Sequence, residues 1–327
     1  MRILITGGSG FIGTNLIDKL ASESSHTILN LDNSKPNIGV HLIYWKNCDI
    51  LDSVQVDAAF SSFNPEAVIH LAATTDTDPG KTIEDYKVNI KGSKNIFNAI
   101  KKSSGIQRVI VTSTQFVNQY QGLPKNDEDF APHTVYGESK VEMEKITRSI
   151  DLNCIWTIIR PTNIWGPWHL RYPYEFWKVL SKGFYFHPGG KPVIRSYGFV
   201  GNVVFQIISI LQGAEEKVNK QVFYVGDEPI NISEWVNGFA LRQTGKPVRV
   251  VPRIAIKSLA LLGDLLSFVK IKFPLTSSRY RSMTNSNVTP MDKTISAFGR
   301  GPYSLDQGIE ETVNWMKKYH PDLVKNN

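Results

Sequence analysis

The chain has 327 residues, 41% hydrophobic and 20% charged, with 24 Gly, 17 Pro and 2 Cys. That supports one large or two modest domains with a real core, and it excludes collagen-like, mucin-like and largely disordered chains. Cys48 and Cys154 lie far apart and outside any Cys-x-x-Cys spacing, which argues against a disulfide framework or zinc cluster and for a reducing compartment. The net charge of +7 splits into −2 over residues 1–160 and +9 over residues 161–327. The cationic excess is scattered, which argues against nucleic acid and leaves a phosphorylated small molecule as a natural partner.

In chain order, residues 2–6 (Arg-Ile-Leu-Ile-Thr) read as a buried strand, and apolar positions 12, 16, 17 and 20 read as a helix. Between strand and helix stand Gly7, Gly10 and Gly13. The first glycine lets the chain turn off the strand, the second lets backbone approach a pyrophosphate, and the third lets the helix pack closely on the sheet. A second strand, Thr27 to Leu31, ends in Asp32, where a carboxylate would accept hydrogen bonds from ribose hydroxyls and repel a 2′-phosphate. The expected cofactor is NAD rather than NADP. His41 to Trp45 reads as a third strand, Ser53 to Phe60 as a helix and Ala67 to Leu71 as a fourth strand. Residues 84–102 read as a helix, Arg108 to Thr112 as a fifth strand and Ile155 to Arg160 as a sixth. Strands alternating with helices imply an α/β, doubly wound parallel sheet with ligands at the carboxyl ends of its strands.

Tyr136-Gly137-Glu138-Ser139-Lys140 opens a helical pattern that runs from Val135 to Ile150. Tyr136 and Lys140, four apart, share a helical face. A free tyrosine titrates near about 10 and is a poor base at neutral pH, but an ammonium one turn away favours the phenolate. Such a phenol can take a proton from a secondary alcohol as the same carbon is oxidised, or return one. The fifth strand ends in hydroxyls at Thr112, Ser113 and Thr114, and Thr114 is the expected partner of the reacting oxygen.

These residues resemble the extended short-chain dehydrogenase/reductases, in the NAD-dependent epimerase/dehydratase group that modifies nucleotide sugars. The resemblance runs over nearly the whole chain: Thr6 to Gly13, Asp32, Asp49, His70 to Ala73, Val88-Asn89 with Gly92, Ser113-Thr114, Tyr136 with Lys140, and Arg160 to Asn163 with Gly166-Pro167. It implies a Rossmann-type domain over 1–160, with a returning strand near 221–226, and a smaller C-terminal substrate-binding lobe over 161–327. It implies catalysis by Thr114, Tyr136 and Lys140. Cofactor contacts would come from Gly7, Gly10, Phe11, Ile12, Gly13, Asp32, Asp49, Ile50, Leu71, Ala72, Ala73, Asn89, Thr112, Tyr136, Lys140 and Pro161. Substrate contacts would come from Thr75, Thr114, Gln115, Asn163, Arg195 and Arg281, with Arg195 resembling the family arginine that holds the diphosphate. No metal is implied.

Departures from the family narrow the chemistry. Gln115-Phe116 stands where sugar 4,6-dehydratases carry Asp-Glu, and elimination of water needs that extra acid and base. No cysteine stands there either, as 3,5-epimerisation would require. Gly201-Asn202 replaces an aspartate pair. C4 epimerisation of a nucleotide-diphosphate sugar through a 4-keto intermediate, in polysaccharide biosynthesis, is the leading expectation. The alternatives are an NAD(P)H-dependent nucleotide-sugar ketoreductase, a sterol or lipid alcohol dehydrogenase, and a non-catalytic dinucleotide sensor or RNA binder. The stretch from Ile254 to Phe273 somewhat resembles the lipid branch, though a buried helix pair or dimer contact explains it better. No apolar run reaches the ~18 residues of a membrane helix. The expected protein is a cytoplasmic homodimer without membrane insertion.

Overall fold

The computed structural model describes residues 1–324 except 24, 120, 170, 171, 269, 270, 272 and 274. The chain folds into two compact units. The first comprises 1–168, 198–227 and 289–302, and the second 169–197, 228–288 and 303–327.

Seven strands form the sheet of the first unit: β1 (Arg2–Thr6), β2 (Thr27–Asp32), β3 (Trp45–Asn47), β4 (Ala67–His70), β5 (Arg108–Thr112), β6 (Ile155–Pro161) and β7 (Gln221–Val225). All pair in parallel, in the order β7-β6-β5-β4-β1-β2-β3. Apart from the edge strand β3, nearly continuous apolar runs make these strands, as expected where both faces of a parallel sheet are covered. Helices α2 (Ser53–Phe63), α3 (Ser93–Lys102) and α4 (Val135–Ser149) share one core with Leu4, Val68, Val109, Val111 and Ile158. Helix α1 (Phe11–Ser22) lies outside that core and packs against the Val200–Gln212 helix. The strand order reverses between β1 and β4, so the crevice for a ligand opens where Gly7 and Leu71-Ala72-Ala73 leave the sheet.

Two local expectations need correction. Residues 39–43 form a 3-10 turn, and strand β3 begins only at Trp45. Val40, Leu42 and Ile43 are exposed while His41 is buried, so the apolar run there covers nothing. The expected helix over 84–102 is three pieces: a 3-10 turn at Ile83–Tyr86, a π-helical turn at Val88–Gly92, and α3. The wide turn buries Asn89 and Ser93 together, and Gly92 lies against Ile50.

The second unit is mostly helical, with helices Tyr172–Ser181, Ile232–Thr244, Arg253–Phe268, Ser277–Thr284 and Leu305–Tyr319. Its core is aromatic. Trp177, Trp235 and Phe239 meet with ring centroids 4.0 to 5.2 Å apart, and Phe176 stacks on Trp235. The aromatic residues from Trp165 to Trp177 read in sequence either as a core or as a sugar- and base-binding surface, and Trp177 is buried in this core. The side chains of Tyr172 and Tyr174 lie outside the described residues.

Candidate active site

Strand β1 ends at Thr6, and Gly7 turns the chain with φ +71°, a conformation that side-chain-bearing residues rarely adopt. A Cβ on Gly7 would lie 2.6 Å from the amide nitrogen of Ala72, so the loop and the end of β4 meet backbone to backbone. Helix α1 then starts at Gly10 with no side-chain cap. An uncapped N-terminus directs amide groups and a positive dipole end at whatever sits before it, and a diphosphate fits that cradle. Phe11, Ile12 and Gly13 supply the first turn.

Asp32 closes the other side. Its carboxylate accepts hydrogen bonds from the Ser9 amide (3.0 Å) and the Ser34 amide (2.9 Å). Burial raises its pKa above the usual aspartate range, and these two amides pull it back. No sequence motif signalled the lock behind this loop. Asn30 Nδ2 donates to Ser9 Oγ (3.1 Å), and Asn37 Nδ2 donates to the Ser9 carbonyl (2.8 Å) and to Thr14 Oγ1 (3.0 Å). Asp49 is exposed, and its carboxylate accepts from the Leu51 amide (2.9 Å). Ile50 is buried.

Helix α4 carries Tyr136 and Lys140. Thr134 caps it by accepting from the Gly137 amide (3.0 Å), which fixes where the first turn begins. Gly137 lies so close to the Phe116 carbonyl that a Cβ would collide with it. The turn after Thr114 thus abuts the turn bearing Tyr136. The Tyr136 ring is buried, 6.1 Å from that of Tyr86 and 6.2 Å from that of Phe116. Lys140 is fully buried, and its Nζ donates to the Thr112 carbonyl (2.8 Å) and approaches Met143 Sδ (3.6 Å). Burial brings its pKa down to about 7, and the Glu144 carboxylate opposes that fall.

Thr112 Oγ1 and Ser113 Oγ are buried with no hydrogen-bond partner among the described residues. Buried hydroxyls left unpaired are costly, and they mark where a ligand would repay that cost. Thr114 Oγ1 accepts from the Phe116 amide (3.3 Å), leaving its proton to be donated elsewhere. Gln115 Nε2 donates to Asn163 Oδ1 (3.0 Å), joining two of the expected substrate residues. Pro161 ends β6 beside them, and Thr75 is exposed on the loop after β4.

A buried polar chain runs behind Tyr136. Ser93 donates its hydroxyl proton to the Asn89 carbonyl (2.7 Å), so His70 Nε2 donates to Ser93 Oγ (2.8 Å), and Nδ1 accepts from Thr6 Oγ1 (2.7 Å). His70 is therefore neutral, and burial with the nearby Lys140 charge pushes its pKa down to about 3. Asn89 Nδ2 donates to the Thr74 carbonyl (2.9 Å) and Ser139 Oγ (2.9 Å), and Ser139 donates to the Tyr136 carbonyl (2.7 Å). The Asn89 amide thus clamps the loop after β4 to helix α4.

A second buried knot holds the far side of α4. Arg160 Nε and Nη2 each donate to the Glu144 carboxylate at 2.8 Å, with both side chains fully buried. Arg160 also donates to Tyr224 Oη (3.0 Å) and the Asp127 carbonyl (2.6 Å), and Tyr224 donates to Asn118 Oδ1. Nothing in the motif pattern signalled Glu144 or Tyr224.

In the second unit, Arg195 is buried. Its Nη2 donates to the Ser282 carbonyl, while its Nε has no partner among the described residues. Arg281 is exposed.

The sequence matches the NAD dependent epimerase/dehydratase family over residues 3–226. The chain belongs to that family. It is 27% identical, over 96% of its length and 95% of the relative's, to the N-acetyl-alpha-D-glucosaminyl-diphospho-ditrans,octacis-undecaprenol 4-epimerase of Escherichia coli O157:H7. It is 28% identical to the UDP-glucose 4-epimerase of Vibrio cholerae, over 95% of this chain and 94% of the relative. Among solved structures, the Bordetella bronchiseptica enzyme WbmG in complex with NAD superposes with a TM-score of 0.71 at 26% identity, covering 99% of this chain and 96% of that one. The family is NAD-dependent, and the uncapped α1 N-terminus, Asp32 and the unpaired hydroxyls after β5 fit that cofactor.

Proposed function

We propose that this family member epimerises C4 of a sugar held on a diphosphate, most simply a nucleotide-diphosphate sugar, with Tyr136, Lys140 and Thr114 as its catalytic residues. The observation that carries the reading is Lys140, buried one helical turn from Tyr136 and held on the Thr112 carbonyl beside unpaired hydroxyls. NAD, when bound, supplies a reversible two-electron acceptor for the sugar carbon. The chain's own work is proton traffic at one oxygen. Tyr136 takes the proton of the 4-hydroxyl and returns it once the sugar has presented its other face. The Lys140 ammonium favours the phenolate, and the Thr114 hydroxyl holds the reacting oxygen in place. Gln115 and Asn163 orient the sugar. Arg195, whose buried Nε–H has no acceptor among the described residues, grips the diphosphate, with Arg281 as a weaker contributor.

A second reading keeps the chemistry and changes the carrier. The Escherichia coli relative is named for a sugar on an undecaprenol diphosphate. In either case we take the enzyme to be a cytoplasmic homodimer with both cysteines as free thiols; light scattering on the purified chain tests the oligomeric part. The function is tested by incubating the protein and NAD with UDP-, dTDP- and polyprenyl-diphosphate sugars, reading the C4 configuration by NMR and net redox by absorbance. Epimer formation without net NADH, lost by about 10²–10⁴-fold in Tyr136→Phe with NAD binding retained, is expected. Net consumption of NADH would move the assignment to a ketoreductase, and an active Tyr136→Phe would remove the proton-transfer role.

A further inference from the structure

The second unit carries a net charge of +9, and although its basic residues form no run in the sequence, the segment 246–281 holds a net +7 of it. Between residues 246 and 281 eight Lys and Arg stand against a single acidic residue, Asp264. At the centre of this segment lies the Arg253–Phe268 helix. Ile256, Ala260 and Gly263 form its buried side. The opposite face carries Ile254 (76% exposed), Leu261 (56%), Leu262 (46%) and Leu265 (65%), with spacings of seven and four that hold one side of a helix. Lys257 flanks that face and is exposed. Apolar exposure continues into the strand pair that leads into the helix, where Val250 and Phe186 also face solvent. Asp264, the one acidic group, accepts from the Ser277 amide (3.0 Å) and lies off the apolar face.

We propose that this helix is a docking face for an anionic lipid bilayer, lying in the membrane interface with its leucines in the acyl boundary and the exposed Lys246, Arg249, Lys257 and Arg279 among the headgroups. At 16 residues the helix is about 24 Å long, too short for the hydrocarbon core of about 30 Å, so it lies along the surface. No helix among the described residues is long and apolar enough to cross a membrane. Charge decides the occupant. A two-fold contact with a second copy would set two equally cationic segments against each other, whereas an anionic surface complements them. A polyanion such as RNA would leave the leucines uncovered. The face bearing Ile254, Leu261, Leu262 and Leu265 is exposed rather than buried in a helix pair, and its role as a docking face does not depend on the reaction catalysed.

The test is co-sedimentation of the full chain with vesicles of phosphatidylcholine alone, and of phosphatidylcholine with one part in three phosphatidylglycerol. Binding to the anionic vesicles that weakens in high salt is expected. Leu261→Glu/Leu265→Glu should lower it about tenfold or more, and Lys257→Ala about fivefold. Thermal unfolding of each variant checks that the fold is kept, and the lipid and salt dependence of the unaltered chain needs no variant at all. Absence of binding to either vesicle would overturn the proposal. So would a dimer in sedimentation velocity that the double leucine variant dissociates, because the face would then belong to a second copy. Epimerase assays on a soluble substrate are read separately, so failure of either reading leaves the other standing.

Discussion

Glu144→Gln is the sharpest test of how the site is held. The side chain keeps its shape and one acceptor but loses its charge, leaving the Arg160 guanidinium fully buried without a counter-ion. Removing one partner of a buried ion pair costs about 3–5 kcal/mol. Arg160 retains the Tyr224 hydroxyl, the Asp127 carbonyl and the ring faces of Phe130 and Tyr224 at 5.7 and 5.5 Å. Those contacts place the expected loss at the lower end, about 3 kcal/mol. Replacing both partners, Glu144→Gln with Arg160→Met, removes the stranded charge and should recover about 2 kcal/mol of that loss. Urea unfolding followed by tryptophan fluorescence measures the full cycle.

A functional readout separates this from generic destabilisation. Glu144 is the group that opposes the fall of the Lys140 pKa, so in Glu144→Gln the ammonium is lost at lower pH than about 7. The alkaline fall in turnover should move to lower pH. A stability loss below about 1 kcal/mol, or strictly additive single and double variants, would refute the ion-pair argument. An unmoved pH profile would refute the link to Lys140.

Three further outcomes are expected. Asp32→Asn should weaken NAD and lower the preference over NADP by about tenfold, because the carboxylate that repels a 2′-phosphate is gone; calorimetric titration of both dinucleotides decides it, and an unchanged ratio counts against the role. Gly137→Ala should cut turnover by about 10²-fold while the chain stays folded, since its methyl would push the Tyr136 turn off the Phe116 carbonyl; near-normal turnover would show that this close approach does not position the phenol. His70 is held near 3 in the folded chain against 6.5 when unfolded, so between those values only the unfolded state takes the proton and stability falls as pH falls. The slope from this one group is about 1.4 kcal/mol per pH unit, and His70→Gln should flatten the pH dependence of the urea midpoint over that window.

Much of the sheet was legible because parallel strands covered on both faces are written as unbroken apolar runs. Residues 2–6, 108–112 and the segment ending at Arg160 show this, and the glycine loop and Asp32 fall at strand ends as their chemistry requires. The failures share a cause. The run from Val40 to Ile43 has strand composition, yet its side chains face solvent in a 3-10 turn. The helical signal over 84–102 could not show that the chain widens at Val88–Gly92, because that turn is set by Asn89 and Ser93 meeting partners far away in sequence. Pairings such as Arg160 with Glu144, or Asn30 with Ser9, likewise have no local pattern: each residue alone reads as an ordinary polar side chain.

The surroundings of Gly201-Asn202 depend on a residue distant in sequence. The change from an aspartate pair removes a carboxylate that the family carries there, and the sequence alone assigns it no effect on substrate choice. In the structure Asn202 is buried, and its Nδ2 donates to Asp227 Oδ1 (2.8 Å), while Asp227 Oδ2 accepts from the Phe199 amide (2.7 Å). A carboxylate still sits against the start of the Val200–Gln212 helix, where the dipole favours it, but it is delivered from the loop after β7. An aspartate at 202 would put two carboxylates in hydrogen-bond contact, a repulsion on the order of 4 kcal/mol. Asparagine at 202 is therefore what Asp227 demands. A carboxylate therefore stands at this helix end although residue 202 is an asparagine.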